Sequence, residues 1–406
     1  MTRLLISLLA TLTLVACADS DPTSSTTPST LPADPKTQSL NALMDNIAST
    51  TGAVGFGIYV KRQGLAPFEA TRGVANRDTN EKLRSDHLFR IASQSKPYLA
   101  ALVVKLDREG KLSLYDKLTA HLPPELTSLI PNADTITLFD MLTMWSGISD
   151  YRDATFTAEV LQGDPSVVRD EYRDLVAGLK RNPTPCAAPE IALADVTPDI
   201  AECLYSNSNY VLLGYVVDSV LYGVSPAEGV RPQHHSKAFY QDFFLPLQLT
   251  STFYEKHLLE GQSFDGRLAH AYFPFPDDQG QTSLIDVTGW DDGYGYANGG
   301  LVSTMADLSS FRAAVLDPSQ TFPMQTLEDK QSFLSLYTKQ NGLGVAPAGY
   351  LDGAYWTFSG DISGYTSWAE NDVASGVSIV FVSNDHSLDS AKVDIVNAVK
   401  AILAEK

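Results

Sequence analysis

The sequence predicts an α/β fold in which an antiparallel sheet, flanked by helices, is built from both chain ends around an inserted all-helical lobe. Three observations lead there. Alternating strand-like runs occur early, at 54–62 ("VGFGIYVKR") and 68–76 ("FEATRGVAN"), and then only late, at 353–360, 364–371 and 376–384. From Ser93 to about Leu259 the pattern is one of helices and Pro-rich loops. Neither the early pair nor the late trio makes a stable sheet alone, so the ends must meet.

The elements follow in order. The N-terminus, "MTRLLISLLATLTLVACADS", has one Arg, a short apolar run and small residues before Cys17, the pattern of a secretory signal over 1–16. The "LVAC" stretch resembles a bacterial lipobox, which implies cleavage before Cys17 and a lipid on its thiol. The alternative is an ordinary signal peptide cleaved near Ala18. Residues 17–38 are Ser, Thr and Pro with almost nothing to bury, so a disordered, lipidated spacer is expected there, with the folded domain over 39–406. Export to the periplasmic side of a bacterial membrane, leaning to the outer one because Ala18 follows the Cys, is the expected location.

Two strands joined by a turn near Gly64–Pro67 open the domain, in an α/β lobe expected at about 39–92 and 296–406. The helical lobe, about 93–295, holds "KPYLAALVVKLDREG", "TLFDMLTMW", "SVVRDEYRDLVAGLKR", "NYVLLGYVVDSVLYG" and "FYQDFFLPL". An amphipathic helix, "DSAKVDIVNAVKAILAE", closes the chain. A cleft between lobes is where a small-molecule site is expected. With 406 residues, 44% of them hydrophobic, the chain can bury a large core. A net charge of −19 without any basic block argues against nucleic acid and against charge-driven adsorption to anionic lipid. Beyond Cys17 the only cysteines are Cys186 and Cys203, which an oxidising compartment would bridge; free buried thiols are the alternative.

Chemistry concentrates at "FRIASQSKPYLAALVVKL". Ser93 and Lys96 are a turn apart at a helix start, where free N–H groups favour negative charge. A partly desolvated Lys with a lowered pKa can take the Ser proton. Pro97 lacks the N–H that would bond the Ser93 carbonyl, which opens that turn. Alone, S-x-x-K is weak, since a Ser cap followed by a solvated Lys explains it equally well. "CLYSNSNYVLLG" strengthens it. Tyr205 offers a phenol and Asn207 an amide that can orient a substrate carbonyl and Lys96. A second Y-x-N, Tyr296 to Asn298, lies in a glycine-rich turn and is the weaker candidate.

Together with "REGKLSLYDKL", "ITLFDMLTMWSGISDY", "NGGLVSTMADLSSF", "NGLGV" and "FSGDISGYTSW", these motifs resemble the serine β-lactamase and penicillin-binding-protein family. The similar branch holds class C β-lactamases, D-alanyl-D-alanine carboxypeptidases and related esterases, with Y-x-N as middle triplet. The resemblance implies that fold and an acyl-enzyme pathway: Ser93 attacks, Lys96 and Tyr205 move the proton, and the N–H groups of Ser93 and Asp361 form the oxyanion hole. It implies substrate binding by Asn207, Ser359, Gly360 and Asp361, no cofactor and no metal, a small-molecule or peptidoglycan-derived substrate, and a monomer. "QHHSK" (233–237) adds no set of metal ligands at a suitable spacing.

The third motif departs from the pattern. Relatives carry Lys or His there, and this chain has Phe358, Ser359 and Gly360, then Asp361. Without that cation Tyr205 ionises less easily and Lys96 carries more of the activation. If Asp361 faces the cleft it repels a substrate carboxylate. Both changes tilt the reading toward esters, or amides without a terminal carboxylate. The alternatives are a D-Ala-D-Ala carboxypeptidase or β-lactamase and, from another class, an inactive penicillin-binding-like receptor. Trp145 is expected in the helical core rather than in the cleft. Trp290, Tyr294 and Tyr296 either line a groove or pack a loop, and Asp291 with Asp292 reads as a solvated turn.

Overall fold

Seven strands form the central sheet, and its order interleaves the two chain ends. In a computed structural model that describes residues 31–405 other than 163–168, 184–204, 228–233, 265, 277–278, 294, 317–349 and 353–354, the early strands are β1 (Gly55–Lys61), β2 (Phe68–Asn76) and β3 (Glu81–Lys82). Short strands β4 (Phe89–Arg90), β5 (Thr252–Tyr254), β6 (Tyr272–Pro276), β7 (Thr282–Asp286) and β8 (Leu301–Ser303) follow. The late strands are β9 (Tyr350–Asp352), β10 (Tyr355–Ile362), β11 (Tyr365–Asp372) and β12 (Ser378–Ser383). The sheet runs β3-β2-β1-β12-β11-β10-β9. Its central seam is antiparallel β1 on β12, from Phe56 opposite Ser383 to Lys61 opposite Ser378. The chain ends meet as the strand count required.

The helix Thr37–Thr51 and the closing helix Lys392–Ala404 cover one sheet face, where Leu40, Met44, Val396 and Val399 pack on Phe56, Ile58 and Phe381. Helicity at Thr37 and Gln38 falls inside the stretch expected to be spacer. The cause is Asp34, buried at 4% exposure, which takes the Lys36 N–H at 2.8 Å and pairs with Arg62 at 3.0 Å. The other face carries the helix Met305–Leu316 and, beyond it, the helical lobe. At its centre the helix Lys96–Arg108 is buried on every side through most of its length. Such a helix loses all-round solvation only when each neighbour is apolar; Tyr98 stacks on Phe311 with centroids 3.4 Å apart.

Local chemistry sets several boundaries. Thr137 and Asp140 form a capping box that starts the helix Leu138–Leu142. Asp170 caps Glu171–Arg181, and Gly223, with φ of 64°, ends Asn207–Tyr222 in the left-handed conformation. The lobe expected to be all-helical, about 93–295, also contains β5 and the β6–β7 hairpin. Strands of three residues carry no readable alternation, and Pro274 and Pro276 disguise β6; a two-stranded ribbon tolerates both. Trp145 is 1% exposed, in the core as expected. Cys17, Cys186, Cys203, Tyr294 and the "NGLGV" stretch lie outside the described residues.

Candidate active site

The nucleophile candidate sits in a tight turn rather than in the α-helix proper. Ala92–Ser95 form a 3-10 turn that runs directly into the helix at Lys96, and Ala92 before it has a φ of 49°, a left-handed conformation that few alanines adopt. The Lys96 N–H bonds the Ser93 carbonyl. Pro97 removes the α-type donor to that carbonyl, and the preceding N–H takes its place.

Three polar side chains converge there. Lys96 Nζ lies 2.7 Å from Ser93 Oγ, and Tyr205 OH lies 2.8 Å from the same oxygen. Lys96 also donates to Asn207 Oδ1 and to the Asn298 carbonyl, each at 2.9 Å. Asn207 is held in turn: its Nδ2 donates to Asp150 Oδ2 at 2.8 Å, and its Oδ1 accepts from Asn298 Nδ2 at 3.0 Å. Tyr151 OH donates to Asn298 Oδ1 at 3.3 Å. These contacts fix the amide so that its oxygen, not its nitrogen, meets the lysine.

Electrostatics then assign the protons. Lys96 is fully buried, and desolvation holds its pKa well below that of an ordinary lysine; Asp150 opposes the shift without reversing it. Once deprotonated, the amine can keep two donors for Asn207 and Asn298 and offer its lone pair to the Ser93 hydroxyl. Burial pushes the Tyr205 phenol up, outweighing its hydrogen bond to Ser93, so it stays protonated and donates.

Strand β10 supplies the facing wall. A Cβ on Gly360 would lie 2.1 Å from the Ile91 carbonyl, so only glycine lets the strand run against the serine turn. The two-residue turn Ser363–Gly364 makes Ile362 and Tyr365 the hydrogen-bonded pair of β10 and β11, which leaves the Asp361 N–H on the opposite edge. Among the described residues, β9 pairs with Tyr355–Thr357 of β10. The Asp361 side chain points elsewhere. It pairs with Lys392 through both oxygens at 2.7 Å and accepts from Thr366 at 2.6 Å, on the face away from Ser93. The expected repulsion of a substrate carboxylate by Asp361 is therefore withdrawn, because alternation along the strand turns 359 and 361 outward and Phe358 and Gly360 inward. Phe358 is 3% exposed, in the main core with Trp356, and its carbonyl accepts from Gln94 Nε2 at 2.6 Å.

The "GWDDGYGYANGG" loop is packing, not a solvated turn. Asp291 binds Lys256 at 2.6 Å, and Asp292, 1% exposed, takes the Ser363 N–H at 2.9 Å. Tyr296 is buried and donates to Asp174 at 2.7 Å, while Trp290 sits edge-on to Phe275. His235 is engaged by Asp218 and Tyr254 in the core. Sequence reasoning overlooked Asp150 and set aside the second Y-x-N, whose Asn298 does join the site. Adjacency to "SGISDY" was the available signal for Asp150; nothing local marked a backbone carbonyl.

Comparison with known proteins fits this geometry. The family model described as beta-lactamase matches residues 40–402. The chain belongs to the beta-lactamase family. Among curated members, esterase EstB of Burkholderia gladioli is 32% identical over 110 residues, 27% of this chain and 28% of the esterase. The chain spans well under half the length of the curated relatives it matches. Among solved structures, D-amino acid amidase from Ochrobactrum anthropi SV3 superposes with a TM-score of 0.68 at 19% identity, covering 91% of this chain and 99% of the amidase. The octameric penicillin-binding protein homologue from Pyrococcus abyssi gives 0.65 at 18% identity, covering 86% and 73%. Both share the beta-lactamase-family fold with this chain.

Proposed function

We propose that the protein is a serine hydrolase that works through an acyl-enzyme at Ser93, cleaving esters and amides, esters more readily. The carrying observation is the joint approach of Lys96 and Tyr205 to one hydroxyl oxygen, at 2.7 and 2.8 Å. As Ser93 Oγ attacks the substrate carbonyl carbon, its proton passes to the neutral Lys96 amine. The N–H groups of Ser93 and Asp361 hold the oxyanion, an arrangement whose single donors are typically worth about 3 kcal/mol. On collapse the proton returns through Tyr205 to the leaving group, and water then repeats the sequence to free the acid.

The ester preference follows from Phe358. No cation on β10 lowers the Tyr205 pKa, so the phenol is a weak acid, and an alkoxide or phenoxide departs with less help than an amine. The names of relatives, an esterase and an amidase, agree with the two substrate classes. Export and lipid attachment at Cys17 belong to the same proposal; Cys17→Ser should shift the protein from the detergent to the aqueous phase on Triton X-114 partition.

The test is intact mass after a fluorophosphonate probe, together with turnover of a panel of p-nitrophenyl esters, D-amino-acid amides, D-Ala-D-Ala peptides and β-lactams. A single adduct on Ser93, absent from Ser93→Ala, is expected. Unchanged ester turnover in Ser93→Ala would refute the assignment, and faster β-lactam than ester turnover would refute the preference.

A further inference from the structure

The serine turn is held from the sheet as well as from the helical lobe. Ser93 and Lys96 meet Tyr205 and Asn207, whereas Gln94, between them in sequence and 0% exposed, reaches β10. Its Nε2 donates to the Phe358 carbonyl at 2.6 Å, and its Oε1 accepts from Arg312 Nη1 at 3.3 Å. Arg312, also 0% exposed, belongs to the helix Met305–Leu316. Its Nε donates to Asn371 Oδ1 of β11 at 2.6 Å and its Nη2 to the Trp356 carbonyl of β10 at 2.5 Å. Its Cζ lies 3.9 Å from the Trp356 ring centroid.

These contacts give Gln94 one satisfied orientation. An arginine has only donors, so the Gln94 oxygen must face it and the amide nitrogen must face Phe358. Arg312 is itself fixed by Asn371 and Trp356, so the amide is braced by the sheet rather than merely laid against it. An apolar side chain of the same length would fill the space and make neither bond.

The elements joined by this strut are the serine turn and β10, which carry the Ser93 and Asp361 N–H groups of the proposed oxyanion hole. They are close at a second point, where Ser367 Oγ donates to the Ile91 carbonyl at 3.3 Å and a Cβ on Gly360 would lie 2.1 Å from that same carbonyl. On its other side the turn is tied to β8, since Ser95 Oγ accepts the Leu301 N–H at 3.1 Å. A misplacement of about 1 Å between reacting groups and their donors can cost on the order of 10²-fold in rate.

We propose that Gln94 is a positioning residue for the oxyanion hole: braced by Arg312, it sets the spacing of β10 against the serine turn and so the convergence of the Ser93 and Asp361 N–H groups on the developing oxyanion. Gln94 takes no part in the proton transfers of Lys96 and Tyr205. The proposal rests on the acyl-enzyme reading above.

The test compares p-nitrophenyl acetate with its thiono counterpart, in which sulfur replaces the carbonyl oxygen. Sulfur is a weak hydrogen-bond acceptor, so the oxo-to-thiono ratio of kcat/KM reads oxyanion stabilisation. Gln94→Met, which keeps length without either bond, should lower that ratio by about tenfold or more, through kcat rather than KM. Gln94→Glu still accepts from Arg312 but sets an oxygen against the Phe358 carbonyl, and should lower it at least as far. Arg312→Lys, a charge without the fork, should give a smaller fall in the same direction. The inhibition constant of phenyl trifluoromethyl ketone, whose Ser93 adduct bears the same oxyanion, should rise in step with the fall in kcat/KM. Both readouts are independent of the fraction of folded enzyme, so partial unfolding does not imitate them. The pH profile of Gln94→Met should keep the wild-type midpoint. Equal losses on the oxo and thiono esters with an unchanged inhibition constant would overturn the proposal, leaving Gln94 a residue of fold stability alone. A shifted pH midpoint with an unchanged ratio would overturn it too, by placing Gln94 in the proton transfers. Failure of wild-type protein to turn over p-nitrophenyl acetate through Ser93 would instead defeat the acyl-enzyme reading.

Discussion

Lys96 and Lys392 are both buried, at 0% and 7% exposure. Lys96 meets a hydroxyl, an amide oxygen and a backbone carbonyl. Lys392 meets the carboxylates of Asp361 and Asp389, at 2.7 and 2.5 Å. Each set of partners fills the amine's hydrogen bonds, but only the second brings counter-charge. Dipoles satisfy Lys96 without paying for its proton, so desolvation depresses its pKa and a base results. Beside Lys392, burial and a hydrogen bond shared with Asp389 push Asp361 up, while Asp389 is held low in spite of burial by Asp361 and Lys392. The one lysine is set up for proton transfer and the other for holding β10 in place.

The largest way to break the comparison is to remove the reactive member. Lys96→Ala should cut kcat/KM for a p-nitrophenyl ester on the order of 10³-fold, in the range of positioned general bases; a loss below tenfold would show that another group takes the Ser93 proton. The wild-type pH profile should rise as the amine loses its proton and level off well below the range of a free lysine.

A sharper test converts the first lysine into the second kind. Asn207→Asp places a carboxylate where Lys96 now meets an amide oxygen, which should raise the lysine's pKa by roughly 1 to 3 units and cost 10- to 10³-fold near neutral pH. Activity should recover as pH rises. A pH-independent loss would mean that geometry, not ionisation, was damaged.

Next in size, Lys392→Met leaves Asp361 and Asp389 facing each other. Both carboxylates are about a third exposed, so screening limits the loss to about 2 kcal/mol of unfolding free energy. Chemical denaturation reads this directly, and Asp389→Asn in the same background should restore part of it.

A pH-linked effect concerns Glu171, whose pKa burial raises to about 8. The folded state then holds a proton that the unfolded chain releases above its ordinary value, so stability falls as pH rises from about 4.5 to 8, with a slope of at most about 1.4 kcal/mol per pH unit. Glu171→Gln should flatten that slope and leave the profile below pH 4 unchanged.

Much of this was legible because it was local. Ser93 and Lys96 are three apart at a helix start, so spacing placed that pair on one face, and Tyr205 and Asn207 flank Ser206 at a helix entry. The ends-together sheet followed from strand count. What escaped depended on distant partners or on parity. Whether Asp361 faces the cleft is a one-residue question along a strand, and composition cannot answer it. Asp150 and Asn298 matter through contacts with elements tens of residues away. Asp291 and Asp292 read as solvated because their partners, Lys256 and the Ser363 N–H, lie elsewhere in sequence.

The close approach of Gly360 to the Ile91 carbonyl bears on how this protein can vary. Neither Gly360 nor Ala92 has a functional group, yet one tolerates no added carbon and the other holds a backbone angle that β-branched residues resist. In a saturation library scored for ester turnover, these two positions should accept fewer substitutions than the charged residues around them. Resistance to change there would arise from missing bulk rather than from any reactive atom.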